Sequence, residues 1–142
     1  MSSEQTDLIY DWNDRGTERS FRPSKPIEFD DETLRDGLQC PSVTDPSIGD
    51  KIRILHLMND LGIQSADIGL PGAGPRAVED VLALTEEISR NRLAIRPNCA
   101  ARTLRVDIDP VIEVTQKTGI PIEVCVFIGS SPIRQYAEDW TI

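Results

Sequence analysis

The sequence predicts an α/β protein built on a parallel sheet. From Pro26 onward, short apolar runs bounded by Gly, Pro or Asn alternate with stretches of helical period, the texture of successive βα units. The hydrophobic content of 39% in 142 residues is enough for a core and too high for full disorder. The last apolar run, Ile122–Ile128, is interrupted only at Glu123 and reads as a strand buried on both faces.

Residues 1–25 are polar and unpatterned and read as a flexible N-terminal arm, with Ile9, Tyr10 and Trp12 as its contacts to a partner subunit. Residues 26–142 carry the βα pattern. The first strand is expected over Ile27–Asp31, followed by a loop from Thr33 to Thr44. Ile48, Ile52, Leu55, Met58 and Leu61 then recur at three- and four-residue spacing, one face of a helix. Asp45-Pro46 supplies a start signal for that helix and Gly62 a stop. A second strand is expected over Ala66–Leu70, and a helix over Pro75–Arg90 with Val78, Val81, Leu82, Thr85 and Ile88 inward. A third strand follows at Leu93–Asn98, then a helical stretch over Arg102–Thr118, divided by Pro110 and closed by Gly119. The fourth strand, Ile122–Ile128, leads into the start of a fourth helix. Short right-handed connections set such units side by side in order, as an open sheet or as half of a closed barrel.

Charge narrows the function. Fifteen Lys+Arg against 24 Asp+Glu give a net charge of −9, which opposes a nucleic-acid surface. No apolar run approaches the roughly 20 residues that cross a bilayer, and the N-terminus lacks the basic and apolar regions of a signal peptide. Cys40, Cys99 and Cys125 are an odd, widely spaced set, which fits a reduced cytoplasmic protein.

The chemistry concentrates in DETLRDGLQ, residues 31–39, at the C-terminal end of the first strand. A carboxylate there offers a hard oxygen to a divalent cation. The adjacent guanidinium can stabilise charge developing on a carbonyl oxygen, and Gly37 permits a tight turn. The whole string resembles the signature of the DRE-TIM metallolyases, which include 2-isopropylmalate, homocitrate and citramalate synthases and HMG-CoA lyase. LGIQSADIGLP, CAARTLRVDI and CVFIGSSPIR follow in family order at the second, third and fourth strands, so the resemblance covers about residues 26–137.

That resemblance implies a (β/α)8 TIM barrel, with this chain covering about its first four βα units and the site at the C-terminal strand ends. It implies a metal-dependent condensation of acetyl-CoA with a 2-oxo acid, assisted by Mg, Mn or Zn. Asp36 would be the metal ligand, with two histidines of a later motif, and Arg35 the electrostatic catalyst. Gln39, Asp67, Arg102, Ser130 and Ser131 would contact substrate, Arg102 through the 2-oxo acid carboxylate. A full-length form would be a homodimer. The sequence departs from the family at Asp67, commonly Glu, and at Cys125 and Arg134, where the synthases often have His. Leu38 before Gln39 matches the HMG-CoA lyase type, so a carbon–carbon lyase is the alternative activity. A further alternative is a truncated, non-catalytic paralogue acting in assembly. As half a barrel, the isolated chain is expected to release no CoA, and to leave two strand edges and apolar inner and outer faces uncovered.

Three other features admit local readings. Gly72-Ala73-Gly74-Pro75-Arg76-Ala77 fits a dinucleotide-binding loop, but it follows the second strand, and the next strand ends in Pro97-Asn98-Cys99 without an acidic residue. A strand–helix turn that needs flexible backbone, with Pro75 starting the helix, is the favoured reading. His56, the single histidine, falls in a helix interior and reads as packing. Cys125 reads as a small core residue, and Cys40 as the better placed of the thiols for reactivity.

Overall fold

The computed structural model describes residues 25–141, so the arm ahead of Lys25 lies outside the described residues. Four parallel strands stand in chain order, β1 (Asp30–Asp31), β2 (Ser65–Asp67), β3 (Arg96–Arg102) and β4 (Glu123–Phe127). Asp31 pairs with Ala66, Asp67 with Asn98, and Ala100 with Cys125. Helices α1 (Ile48–Asp60), α2 (Pro75–Asn91) and α3 (Arg105–Thr118) connect them, and α4 (Pro132–Ala137) follows β4. Sequential parallel strands joined by right-handed crossovers place these helices on one face of the sheet.

The core lies between that face and the helices. Leu55 and Met58 of α1, Val81, Leu84 and Ile88 of α2, and Val111 and Val114 of α3 close over Ala66, Ile68 and Cys99. Helix α1 begins at Ser47, whose hydroxyl accepts from the Asp50 amide at 3.2 Å. Asp45, expected as the cap, instead meets Lys51 Nζ at 2.8 Å and Arg76 Nη2 at 2.6 Å. At the other end Gly62 adopts φ 76°, and the amides of Gly62 and Ile63 return to the carbonyls of Asn59 and Met58, a Schellman ending. The inward stripe of α1 runs through Lys51, Leu55 and Met58, while Ile48 and Leu61 face outward. Pro110 does not divide α3. It removes one hydrogen bond near the exposed N-terminal end, and the helix continues to Gly119.

The strands are offset from the apolar runs that announced them. Ile27 and Phe29 lie outside β1 and are exposed, and β3 extends through Cys99, Ala100 and Ala101 to Arg102. β4 is not buried on both faces: Val124 is partly buried against the core, but Val126, Phe127 and Ile128 are each more than half exposed, and Cys125 is exposed with them. A terminal strand lacks a neighbour on one side, and the short α4 does not cover it. The face turned away from the helices is also not apolar. Asn98 Nδ2 donates to Asp30 Oδ1 at 2.7 Å and Ser65 Oγ at 3.1 Å, and the Cys125 thiol donates to Asn98 Oδ1 at 3.7 Å. That polar ladder replaces the expected apolar inner layer.

Candidate active site

The turn after β1 sets Arg35 and Asp36 at the strand's C-terminal end. Leu34 is buried in the core and pins the turn, while the amides of Arg35 and Gly37 both donate to the Glu32 carbonyl at 3.1 Å. Arg35 Nε donates to Asp67 Oδ2 at 3.0 Å, Nη1 to Asp36 Oδ1 at 3.0 Å, and Nη2 to Glu32 Oε2. The second Asp67 oxygen accepts from the Gly69 amide at 3.1 Å. Burial works against the Arg35 charge, yet Asp67, Glu32 and Asp36 outweigh it and raise its pKa. Burial raises the Asp67 carboxyl above the usual carboxylate range, against the pull of the Gly69 amide and Arg35.

Beneath this node the open sheet face forms a cleft of about 290 Å³, lined by Asp30, Glu32, Arg35, Asp67, Asn98, Cys125 and Phe127. Of the residues the sequence singled out, Arg35, Asp36 and Asp67 therefore come together. Gln39 lies next door, in a second cavity of about 290 Å³ that also has Arg35, Lys51 and Arg76 in its walls. Arg102, Ser130 and Ser131 do not line the inner cleft. Ser131 caps α4, its Oγ accepting from the Arg134 amide at 3.3 Å, and the Ser130 carbonyl accepts from Gln135.

Arg102 is taken up inside the chain. Its Nε and Nη2 donate to the two oxygens of Asp107, both at 2.7 Å, and its amide adds a third bond at 3.0 Å. Hydrogen bonding from Arg102 holds the Asp107 carboxyl below the usual carboxylate range. Asp107 is 1% exposed and sits directly under Gly72, where any Cβ would collide with the carboxyl group. The glycine-rich turn thus receives a carboxylate of its own chain, which accounts for Gly72 without a dinucleotide. His56 packs outside this region, its Nε2 meeting Glu87 Oε1 at 2.8 Å.

Sequence reasoning assigns no role to Asp30 or Asn98. An Asn that is 3% exposed inside a strand is the one local signal, since buried amides need partners, but its partner is 68 residues away. The thiols of Cys99 and Cys125 are both pushed upward by burial, while Ser42 lowers that of the exposed Cys40. Among the described residues, no three His, Cys, Asp or Glu side chains gather as a metal site. Asp36 is a single exposed hard-oxygen donor that already shares one oxygen with Arg35. These residues by themselves do not make up a divalent-cation site.

Sequential parallel βα units with a polar inner face define a partial (β/α) barrel, and the Arg–carboxylate node at its C-terminal strand ends is the candidate site. Residues 26–138 match the HMGL-like family, a TIM-barrel family, and the chain belongs to it. It is 33% identical over 110 residues to a 2-isopropylmalate synthase of Lactococcus lactis subsp. cremoris (strain SK11), covering 78% of this chain and 20% of that protein. It is 36% identical over 113 residues to a 2-isopropylmalate synthase of Streptococcus gallolyticus (strain UCN34), covering 79% of this chain and 21% of that one. The corresponding enzyme of Staphylococcus carnosus (strain TM300) is 32% identical over 108 residues, with 76% and 20% covered. The chain spans about a fifth of the length of these relatives. No described helix is long and apolar enough to cross a membrane.

Proposed function

We propose that the inner cleft is one wall of an active site that joins acetyl-CoA to a 2-oxo acid, the reaction type of a 2-isopropylmalate synthase. The observation that carries this reading is the Arg35 node. Three carboxylates fix the guanidinium at the mouth of the cleft and occupy three of its N–H groups. A guanidinium carries five, so two remain for an oxygen acquiring negative charge. Asp67 acts as the anchor: its burial and its bond to Gly69 leave Arg35 little freedom to turn away.

In this reading Asp36 is the residue of this chain that would contribute to a divalent cation, whose chemistry is to polarise the carbonyl under attack. Because the described residues gather no complete ligand set, the remaining ligands would come from elsewhere in the assembled enzyme. Gln39, in the neighbouring cavity that shares Arg35, would line the substrate pocket from the β1 side. Arg102 would offer substrate only the N–H groups that Asp107 leaves free, and Ser130 and Ser131 would stand at the β4 rim. The assembled form would be a homodimer.

A chimera tests this reading. Residues 26–138 replace the matching segment of the Lactococcus lactis synthase, and CoA release is followed with acetyl-CoA and branched 2-oxo acids. We expect activity in the chimera and none from the 142-residue chain alone. Arg35→Gln should then lower kcat by roughly 100-fold or more, as removal of an oxyanion donor does. An Arg35→Gln chimera as active as its parent would refute the role given to Arg35.

A further inference from the structure

A third cavity opens at the C-terminal ends of β3 and β4, sharing only Phe127 with the inner cleft. Its walls are Arg102, Leu104, Phe127, Ile128, Arg134 and Trp140, with Thr103 and Gly129 as backbone-rich floor. Two properties set it apart. The chain carries 24 Asp+Glu against 15 Lys+Arg, yet this cavity has two arginines in its walls and no carboxylate. The inner cleft, by contrast, is lined by Asp30, Glu32 and Asp67 around one arginine.

Each arginine is held at one side and free at another. Asp107 grips Arg102 through Nε and Nη2 from its buried position, leaving Nη1 without an intramolecular partner among the described residues. Arg134 lies along Gly129, where a Cβ would already touch its Cδ at 3.4 Å. Its pairing with Glu138 is loose, at 3.5 Å. Around them Leu104, Phe127, Ile128 and Trp140 keep 38–58% of their surface exposed. Exposed apolar side chains rimmed by guanidiniums are costly to leave in water and suit a ligand with an apolar body and an anionic head.

We propose that this cavity binds a small organic oxyanion, a carboxylate or phosphate carried on a planar ring. The anionic head would bridge Arg102 and Arg134, and the ring would lie against Phe127 and Trp140. The volume of about 210 Å³ holds roughly seven waters, which admits one ring with its head group and excludes an extended cofactor. The proposal uses neither Arg35 nor Asp36 and so stands or falls apart from the condensation chemistry, although it shares Arg102 with the substrate contacts of that reading.

Trp140 supplies the readout. The chain has two tryptophans, so Trp12→Phe leaves Trp140 as the single emitter. We expect phenyl phosphate and benzoate to quench this emission saturably, the better of the two identifying the preferred head group. Inorganic phosphate and benzyl alcohol, each carrying half of the ligand, should bind at least about tenfold more weakly than the better probe. Arg134→Gln should weaken that probe by about tenfold or more, and Arg134→Lys, which retains charge without the fork, should recover part of the loss. Arg53→Gln, on the outer face of α1, should change nothing. The proposal fails if inorganic phosphate binds as tightly as the better ring-bearing probe. It fails equally if Arg134→Gln, folded by circular dichroism, binds like the parent, or if no probe quenches saturably.

Discussion

Two arginines stand at the ends of β1 and β3, one strand apart in the sheet, and the protein treats them differently. Arg35, after β1, sends its three bonded nitrogens to three separate carboxylates, of which only Asp67 is buried. Arg102, at the end of β3, gives two nitrogens to the two oxygens of one carboxylate, which is itself sealed beneath Gly72. The first arrangement is a hub with more negative groups than positive ones, able to exchange a surface partner for a substrate oxygen. The second is a closed pair that joins the end of β3 to the first turn of α3. Sequence motifs place both arginines beside substrate, but the carboxylates around them differ: Arg35 can exchange a surface partner, whereas Arg102 is fixed to the scaffold and has only its remaining N–H groups to offer.

The hub gives the largest expected effect on stability. Arg35→Gln removes the partner of a carboxylate that is 2% exposed, and breaking a buried pair from one side costs about 3 kcal/mol. Adding Asp67→Asn should restore more than half of that loss in urea unfolding, because the stranded charge is gone. A double variant as unstable as Arg35→Gln alone would mean that Glu32 or Asp36, not Asp67, sets the cost.

At the latch, the sensitive position is the one without a side chain. Gly72→Ala places a methyl group on the Asp107 carboxyl, and neither the turn nor α3 can yield without loosening Arg102. Overpacking of this kind costs about 1–3 kcal/mol. Gly74→Ala, two residues on, meets no atom within 4 Å and is strained only through its φ of 131°. It should therefore respond differently: Asp107→Ser should rescue Gly72→Ala and leave Gly74→Ala as it was, both read from unfolding midpoints. Failure of that rescue would mean the turn, not the carboxylate, dictates Gly72.

Much of this was legible in the residues. The order of strands and helices, the one-sided helical layer and the placement of Arg35 and Asp36 followed from alternation and from a nine-residue motif. Strand boundaries were not, because hydrophobicity marks burial and not pairing. Ile27 and Phe29 look like a strand but are exposed, whereas Cys99, Ala100 and Ala101 look plain and lie at the centre of the sheet. The Asp30–Asn98 bond and the Gly72–Asp107 contact join segments 68 and 35 residues apart, and no local pattern encodes such a meeting. β4 misled for a related reason: an apolar run shows what a strand is made to be covered by, and the described residues cover little of it beyond Ile122 and Val124.

The smallest expected effect sharpens the same contrast through pH. Asp107, held down by Arg102, contributes stability above the unfolded carboxyl value of about 3.9, and that contribution is lost as pH falls through its lower folded value. Asp67, raised by burial, has the opposite sign: its contribution is fully present below the unfolded value and is lost as pH rises through its folded one. Asp107→Asn should therefore be less stable than the parent at about pH 7, with the deficit closing towards about pH 3. Asp67→Asn should be more stable than the parent at about pH 7, with that advantage also closing on acidification. Urea midpoints for the parent and both variants across this range measure the two signs directly. If both variants deviate from the parent in the same direction at neutral pH, the hub and the latch are one kind of ion pair, and the distinction between Arg35 and Arg102 fails.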